Sequence, residues 1–360
     1  ISVCDITRPM PSSTVLPVLL AELAHIPKQN IVILIATGTH RSNTYNELKD
    51  MLGASVVDTY NVVNHNAFDN SILENVGETP NGTPIVLNRR WVESDFRITT
   101  GFVEPHFFAG FSGGPKMVAP GLASFDTIMN LHNSDMIGNP KSTWGITEGN
   151  PIHDEIRQIA YQTKVDFSVD VTINRDRKIT SVHAGELFAV HHDACKVAKA
   201  ASMRPVDDPF DVVITSNSGY PLDLNLYQSV KGMSAASKIV KEGGTIICAA
   251  ECRDGIPEHG EYGRILKLRD CPEDLLAMVR SEKYNQHDQW QVQIQSQIQM
   301  KAKVYLKSSY LSESQTRSAH LEPVDVIEDV VAKALDRAGQ HARLCVLPEG
   351  PQTIPFLRSE

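Results

Sequence analysis

Ile31-Val32-Ile33-Leu34-Ile35-Ala36, followed by Thr37-Gly38-Thr39-His40 and then Thr44-x-x-Glu47, decides the fold class. An unbroken apolar run bounded by a Thr/Gly turn reads as a buried strand of the kind parallel sheets use. Thr44 with Glu47 three residues on is a capping-box signature, and it opens a helix ending near Gly53. Strand, loop and helix is the repeating step of an α/β layer, and here it leaves His40 at the end of a strand. The step recurs from Phe96 to Val103, a strand that enters the glycine-rich stretch Glu104 to Gly121. Ser124 then caps a helix carrying Met129 and His132.

Working outward, Asn150-Pro151 supplies a helix cap and first turn, and Val165 to Ile173 with Lys178 to Val182 reads as a hairpin about Asn174-Arg175-Asp176-Arg177. A helix from Leu187 to Ala201 gives way to Met203-Arg204-Pro205-Val206-Asp207-Asp208-Pro209, a polar, proline-bearing stretch taken as a domain linker. Beyond it, Phe210 to Thr215, Gly244 to Ala250, Val304 to Lys307 and Arg343 to Leu347 are strands separated by helical patterns. The fold class is therefore α/β, with two α/β domains, a Rossmann-like second domain and the active site expected in the cleft between them. The first domain is assigned to residues 1–203 and the second to 209–339. Helix Val326 to Ala338 leads into a last strand that belongs to either sheet, so residues 340–360 are open to completing the first domain.

A chain of 360 residues exceeds what one core usually organises, which agrees with two domains. Its net charge of -9 and the lack of a basic block exclude a general nucleic-acid or anionic-membrane surface. No apolar run approaches the roughly 20 residues that span a bilayer. Cys4, Cys195, Cys248, Cys252, Cys271 and Cys345 form no CxxC pair, which fits reduced, packed thiols and a cytoplasmic protein.

The chemistry concentrates in Glu104-Pro105-His106-Phe107-Phe108-Ala109-Gly110-Phe111-Ser112-Gly113-Gly114-Pro115-Lys116. Its glycines let the backbone approach a ligand, and successive N–H groups in such a turn make a nest for an anion; a plain turn has the same composition. The order of residues fits neither a Walker loop nor a dinucleotide fingerprint. The run from His106 to Lys116, with Asp5-x-Thr7-Arg8-Pro9 and Ala36-Thr37-Gly38-x-His40-Arg41 upstream, and Tyr220-Pro221-Leu222-Asp223-x-Asn225-x-Tyr227-Gln228-x-Val230-Lys231-Gly232-Met233 downstream, resembles the lactate racemase family. The resemblance covers nearly the whole chain, motif by motif in the same order.

The resemblance implies a racemase or epimerase of 2-hydroxy acids that uses a nickel-pincer nucleotide, a pyridinium mononucleotide whose two sulfur-containing substituents and a ring carbon grip nickel. It implies attachment at Lys116, a nickel ligand at His132 and acid/base histidines at His40 and His106. It also implies substrate contacts at Arg8, Tyr227, Gln228, Lys231 and Trp290, and dependence on cofactor-building enzymes. The C2 hydrogen of a 2-hydroxycarboxylate is a poor acid beside an existing negative charge, so departure as hydride, giving a planar keto acid, is the easier route to inversion. The hydroxyl proton then needs a base, and neutral imidazole suits that exchange. A guanidinium matches the substrate carboxylate in two prongs, where an ammonium offers a point charge. Ser112, Gly113 and Gly114 are cofactor-contact candidates. Asp5 is open to orienting Arg8, meeting a cofactor hydroxyl or capping the next segment. Without the resemblance each histidine reads as an ordinary surface or hydrogen-bonded one, Arg8 and Lys231 as solvated charges, and Trp290 as a packing aromatic. His153, His183, His191, His192 and His259 have no motif support and are assigned to structure or solvent.

Ile6, Thr39 and Pro115 depart from the family pattern beside functional positions, so the acid itself and the oligomeric state, a homo-oligomer included, are left open. Two other readings are a nicotinamide-dependent 2-hydroxy acid dehydrogenase, disfavoured by the missing glycine fingerprint, and a non-catalytic small-acid or nucleotide-binding protein, disfavoured by His40, His106, Lys116 and His132 standing together.

Overall fold

A computed structural model of the chain describes residues 1–258, 260–281 and 283–358; His259 lies outside them. Two compact units result: residues 1–132 with 141–201, and residues 133–140 with 202–360. Segment 133–140 therefore packs with the second unit although it follows a first-unit helix directly.

The first unit is built on a six-stranded sheet ordered Ile179–Gly185, Phe167–Ile173, Ile98–Phe102, Ser2–Cys4, Val32–Ala36, Asn61–Asn64. All neighbours are parallel except the terminal hairpin pair. On one face Leu16 and Leu20 of helix Ser12–Glu22 and Leu48 and Leu52 of helix Tyr45–Leu52 cover Val3, Ile33 and Ile35. The capping box at Thr44 and Glu47 is formed in both directions. Chain order runs outward from Ser2–Cys4 through Val32–Ala36 to Asn61–Asn64, then resumes at Ile98–Phe102 on the other side. The strand order thus reverses between Ser2–Cys4 and Ile98–Phe102, and the loops leaving their carboxyl ends diverge there, which is where open α/β sheets place ligands. Asp5, the Thr37–His40 loop and the run from Glu104 to Lys116 all leave the carboxyl ends of these parallel strands.

The second unit carries a parallel sheet ordered Glu322–Pro323, Lys303–Lys307, Val240–Ala249, Phe210–Ser216, Leu344–Leu347. The terminal strand thus joins the second sheet, with Leu344 opposite Val212 and Leu347 opposite Thr215. Met203–Val206, within the stretch read as a linker, is a strand paired in parallel with Ile354–Leu357. A polar, proline-bearing composition conceals this pairing because the partner lies some 150 residues away in sequence. Helix Leu226–Ser237 follows Phe210–Ser216, capped by Asn225 through the Gln228 N–H, and presents Tyr227, Gln228 and Lys231 from its first two turns. Among the described residues no helix is long and apolar enough to cross a membrane. All six cysteines are free thiols, four of them buried.

Candidate active site

Asp5 and His40, 35 residues apart, meet because adjacent parallel strands end side by side: Asp5 Oδ2 lies 2.7 Å from His40 Nδ1. Asp5 is buried, while His40 keeps 48% of its side chain exposed. The Thr7 hydroxyl donates to the other carboxylate oxygen at 2.6 Å. Burial works against ionising Asp5, but the His40 contact, Thr7 and the nearby Arg8 charge outweigh it and hold the carboxyl below its usual range. Of the roles open to Asp5, capping the next segment is seen in the Thr7 N–H that donates to Oδ1 at 3.3 Å, while the contact with His40 is a role the sequence did not suggest; the hydrogen bond from Arg8 is a backbone one, Arg8 N–H to Asp5 O at 3.2 Å. With a carboxylate on Nδ1–H, the Nε2 of His40 is the nitrogen left for proton exchange.

The glycine-rich run folds as a short antiparallel turn, Pro105–His106 against Gly110–Phe111, followed by a single 3₁₀ turn, Gly114–Met117. This geometry collects three of the expected residues about the Phe108 ring. His106 packs edge-on to it at 4.5 Å, His132 edge-on at 5.1 Å, and Lys116 Nζ stands 5.6 Å from its centre. His106 and His132 are both buried. Helix Phe125–Leu131, capped by Ser124, ends at His132, whose Nδ1 lies 2.7 Å from the Ile128 carbonyl and so donates to it. The lone pair of Nε2 is thereby the one left for a partner. Ala109 N–H faces His106 Nδ1 at 3.3 Å.

Ser112 and the two glycines that follow direct their polar groups inward. The Ser112 hydroxyl donates to the Phe102 carbonyl at 2.7 Å and accepts from Glu104 N–H, while Ser112 N–H donates to Glu104 O. Gly114 N–H donates to Asp170 Oδ1 at 3.1 Å, and Lys116 N–H to Gly113 O. Beneath the turn, His191 Nε2 lies 2.9 Å from the Ser112 carbonyl, and His153 stacks on His191 at 5.5 Å. Burial, with neighbouring positive charge, lowers His153 to about 3 and His191 to about 4, so both are neutral imidazoles. Asp170, fully buried with Oδ2 unpartnered, is pushed up to about 7 by burial against the single Gly114 bond. Asp170 and Phe108 are the residues that motif reading passes over. A charge inside the apolar strand Phe167–Ile173 was the available signal.

In the second unit Trp290 Nε1 donates to the Tyr227 hydroxyl at 3.0 Å, and Lys231 Nζ donates to Gln228 Oε1 at 2.6 Å. Trp290 is buried; Tyr227, Gln228 and Lys231 are half-buried. Helix periodicity explains the second pair, since positions three apart share a face. Nothing local explains the first, which joins two helices 63 residues apart.

Residues 1–145 match the family described as Lactate racemase N-terminal domain, and residues 206–354 match Lactate racemase C-terminal domain. A curated lactate racemase of Lactiplantibacillus plantarum is 38% identical over 96% of this chain and 82% of its own length. The chain belongs to the lactate racemase family. A curated lactate racemase of Thermoanaerobacterium thermosaccharolyticum is 37% identical over 97% of this chain and 82% of its own length. The solved lactate racemase apoprotein from that organism superposes with a TM-score of 0.92 at 36% identity, covering 99% of this chain and 85% of that one. A protein from Thermotoga maritima shares the fold at a TM-score of 0.75 and 20% identity, covering 99% and 92%.

Family membership makes this chain an isomerase, a racemase, and sets aside the dehydrogenase and the non-catalytic readings. Among the described residues no three His, Cys, Asp or Glu side chains gather to hold a metal ion, Cys248 and Cys252 included. A metal in this racemase would therefore need most of its ligands from elsewhere, and His132 would offer it a single oriented imidazole. The three positions expected to depart from the family pattern lie at this end of the sheet: Ile6 is 41% exposed between Asp5 and Arg8, Thr39 precedes His40, and Pro115 is the second residue of the turn that bears Lys116.

Proposed function

We propose that this racemase inverts C2 of a small 2-hydroxy acid such as lactate, with a nickel-pincer nucleotide held through Lys116 and His132 and with His40 and His106 as acid/base residues. The observation that carries the reading is the gathering of His106, Lys116 and His132 around one Phe108 ring. When bound, the cofactor supplies a reversible acceptor for the C2 hydride. The chain's own residues do the rest. His40, with Nδ1 held by Asp5, takes the hydroxyl proton at Nε2 and returns it, and His106 is the acid/base residue for the opposite enantiomer. Arg8 is the guanidinium for the carboxylate. Tyr227, Gln228, Lys231 and Trp290 are assigned to substrate contacts, with the Trp290–Tyr227 and Lys231–Gln228 bonds holding their side chains in defined rotamers before substrate arrives.

Ser112, Gly113 and Gly114 serve the cofactor by shaping the turn that presents Lys116, since the polar groups of Ser112 and Gly114 are directed into the chain. Asp5 acts through His40. Enzymes that build the pincer nucleotide are the partners this reading requires, and a cytoplasmic location is the one in which they and the free thiols would be found. The test is to produce the protein together with those enzymes, measure nickel and the mass of the Lys116 peptide, and follow single-enantiomer 2-hydroxy acids by chiral chromatography. The expected result is about one nickel per chain, a mass increase on that peptide and inversion without added NAD. Inversion by a preparation lacking both nickel and the modification would refute it.

A further inference from the structure

We propose that Asp170 is a positioning residue for Lys116, acting through the Gly114 N–H to set the 3₁₀ turn from which the lysine projects; this rests on Lys116 being the attachment residue. Asp170 stands in the middle of strand Phe167–Ile173, opposite Gly101 of the parallel neighbour and His183 of the antiparallel one. The interior of a sheet is an expensive place for a carboxyl group, and the sequence opens a slot for this one. A Cβ on Gly101 would lie 2.2 Å from Asp170 Oδ1 and 3.0 Å from the Gly113 Cα. A Cβ on Gly113 would lie 2.7 Å from Val103 and 3.3 Å from the same carboxylate oxygen. A Cβ on Gly114 would lie 2.4 Å from the His191 ring. Three glycines from two segments thus bring the turn and the strand close enough for one hydrogen bond, Gly114 N–H to Asp170 Oδ1 at 3.1 Å.

That bond falls at the first residue of the turn Gly114–Met117, two residues before Lys116. The backbone there has φ of +73° at Gly113 and +49° at Gly114, a left-handed pair that leaves the chain's direction free unless something holds it. His191, by its contact with the Ser112 carbonyl, holds the upstream side, and Asp170 holds the N–H that begins the turn. The effect reaches Lys116 through the direction of its Cα–Cβ bond, and no contact between Asp170 and the lysine is involved.

The test reads Lys116 itself in cofactor-free protein, by competitive trace acylation with acetic anhydride and peptide mass spectrometry, using exposed Lys199 as the internal reference. In Asp170→Ala the reactivity of Lys116 relative to Lys199 is expected to change by about ten-fold, because a misdirected side chain changes its surroundings. In Asp170→Asn, which keeps an acceptor for Gly114 N–H, the ratio is expected to stay within about two-fold of the parent. Should Asp170→Ala not fold, Gly101→Ala, which crowds the acceptor from the other side, is expected to give the same shift. A ratio unchanged in both Asp170→Ala and Gly101→Ala overturns the proposal, and so does an Asp170→Asn ratio as altered as that of the alanine variant. Co-expression with the cofactor-building enzymes separates this from the reading it rests on. An unmodified Lys116 in active parent protein sinks the attachment role, whereas a parent-like acylation ratio in the variants sinks only the role of Asp170.

Discussion

Asp170→Asn gives the pH dependence of stability a sign and a size. The carboxyl is pushed from 3.8 up to about 7 by burial, which outweighs the opposing Gly114 N–H bond. Its charge is felt by the Cys4 thiol on strand Ser2–Cys4 and by the Cys195 thiol on helix Leu187–Ser202. Between the two values the folded chain keeps a proton that the unfolded chain has released, so stability falls as pH rises and levels off above about 7. At about 1.4 kcal/mol per pH unit, the full cost is about 4 kcal/mol by pH 8, of which less than half is already present at pH 5. Asparagine does not titrate. Its amide leaves a buried donor in place of the unpartnered Oδ2, a cost of about 1–3 kcal/mol that does not change with pH. The stability of the variant minus that of the parent is therefore expected to rise by about 3 kcal/mol from pH 5 to pH 8, whatever its absolute sign. Buried His153 and His191 titrate alike in both proteins and cancel in this difference. Urea unfolding followed by fluorescence measures it, with Trp290→Phe in both proteins so that Trp91 and Trp144 report the first unit. A difference constant to within about 0.5 kcal/mol would mean that Asp170 ionises without penalty, and the reasoning from its burial would fall.

Gly114→Ala is expected to cost about 2–5 kcal/mol, from a left-handed φ of +49° and a methyl group 2.4 Å from the His191 ring. Gly82→Ala, at φ +84° with nothing within 4 Å, carries only the backbone part; equal costs for the two would contradict the packing. Asp5→Asn is expected to slow inversion about 10²-fold with nickel content unchanged, because the amide keeps an acceptor near His40 Nδ1 but no charge to balance a proton taken up at Nε2. Chiral chromatography with metal analysis checks this, and a full rate would remove Asp5 from the proton path.

Much of this molecule is legible along the chain, for reasons that are local. The run Ile31–Ala36 and the capping box at Thr44 and Glu47 depend on hydrophobic period and on side-chain-to-backbone bonds within four residues, and both stand in the structure within a residue or so of their expected ends. The placement of His40 and His106 after strands follows from the same pattern, and the family motifs name the residues. Strand order, in contrast, depends on chain segments far apart. Alternation cannot reveal that Leu344–Leu347 lies beside Phe210–Ser216, nor that Met203–Val206 pairs with Ile354–Leu357, because a strand's own residues say which face is buried but not which neighbour donates the hydrogen bonds.

The candidate site divides along the same line. Sequence, through the family resemblance, nominated the groups to look for: two imidazoles for protons, one for a metal, a lysine for attachment and a guanidinium for a carboxylate. Tertiary structure decided which of them act on one another. It joined Asp5 to His40 across adjacent strand ends, turned the Nδ1 of His132 onto Ile128 and set His106, Lys116 and His132 about Phe108. It also revealed Asp170 beneath Gly114. The physical reason is range: propensity, capping and hydrophobic period act over a few residues, whereas a hydrogen bond between residues 35 or 56 positions apart exists only once a sheet has fixed the distance between them.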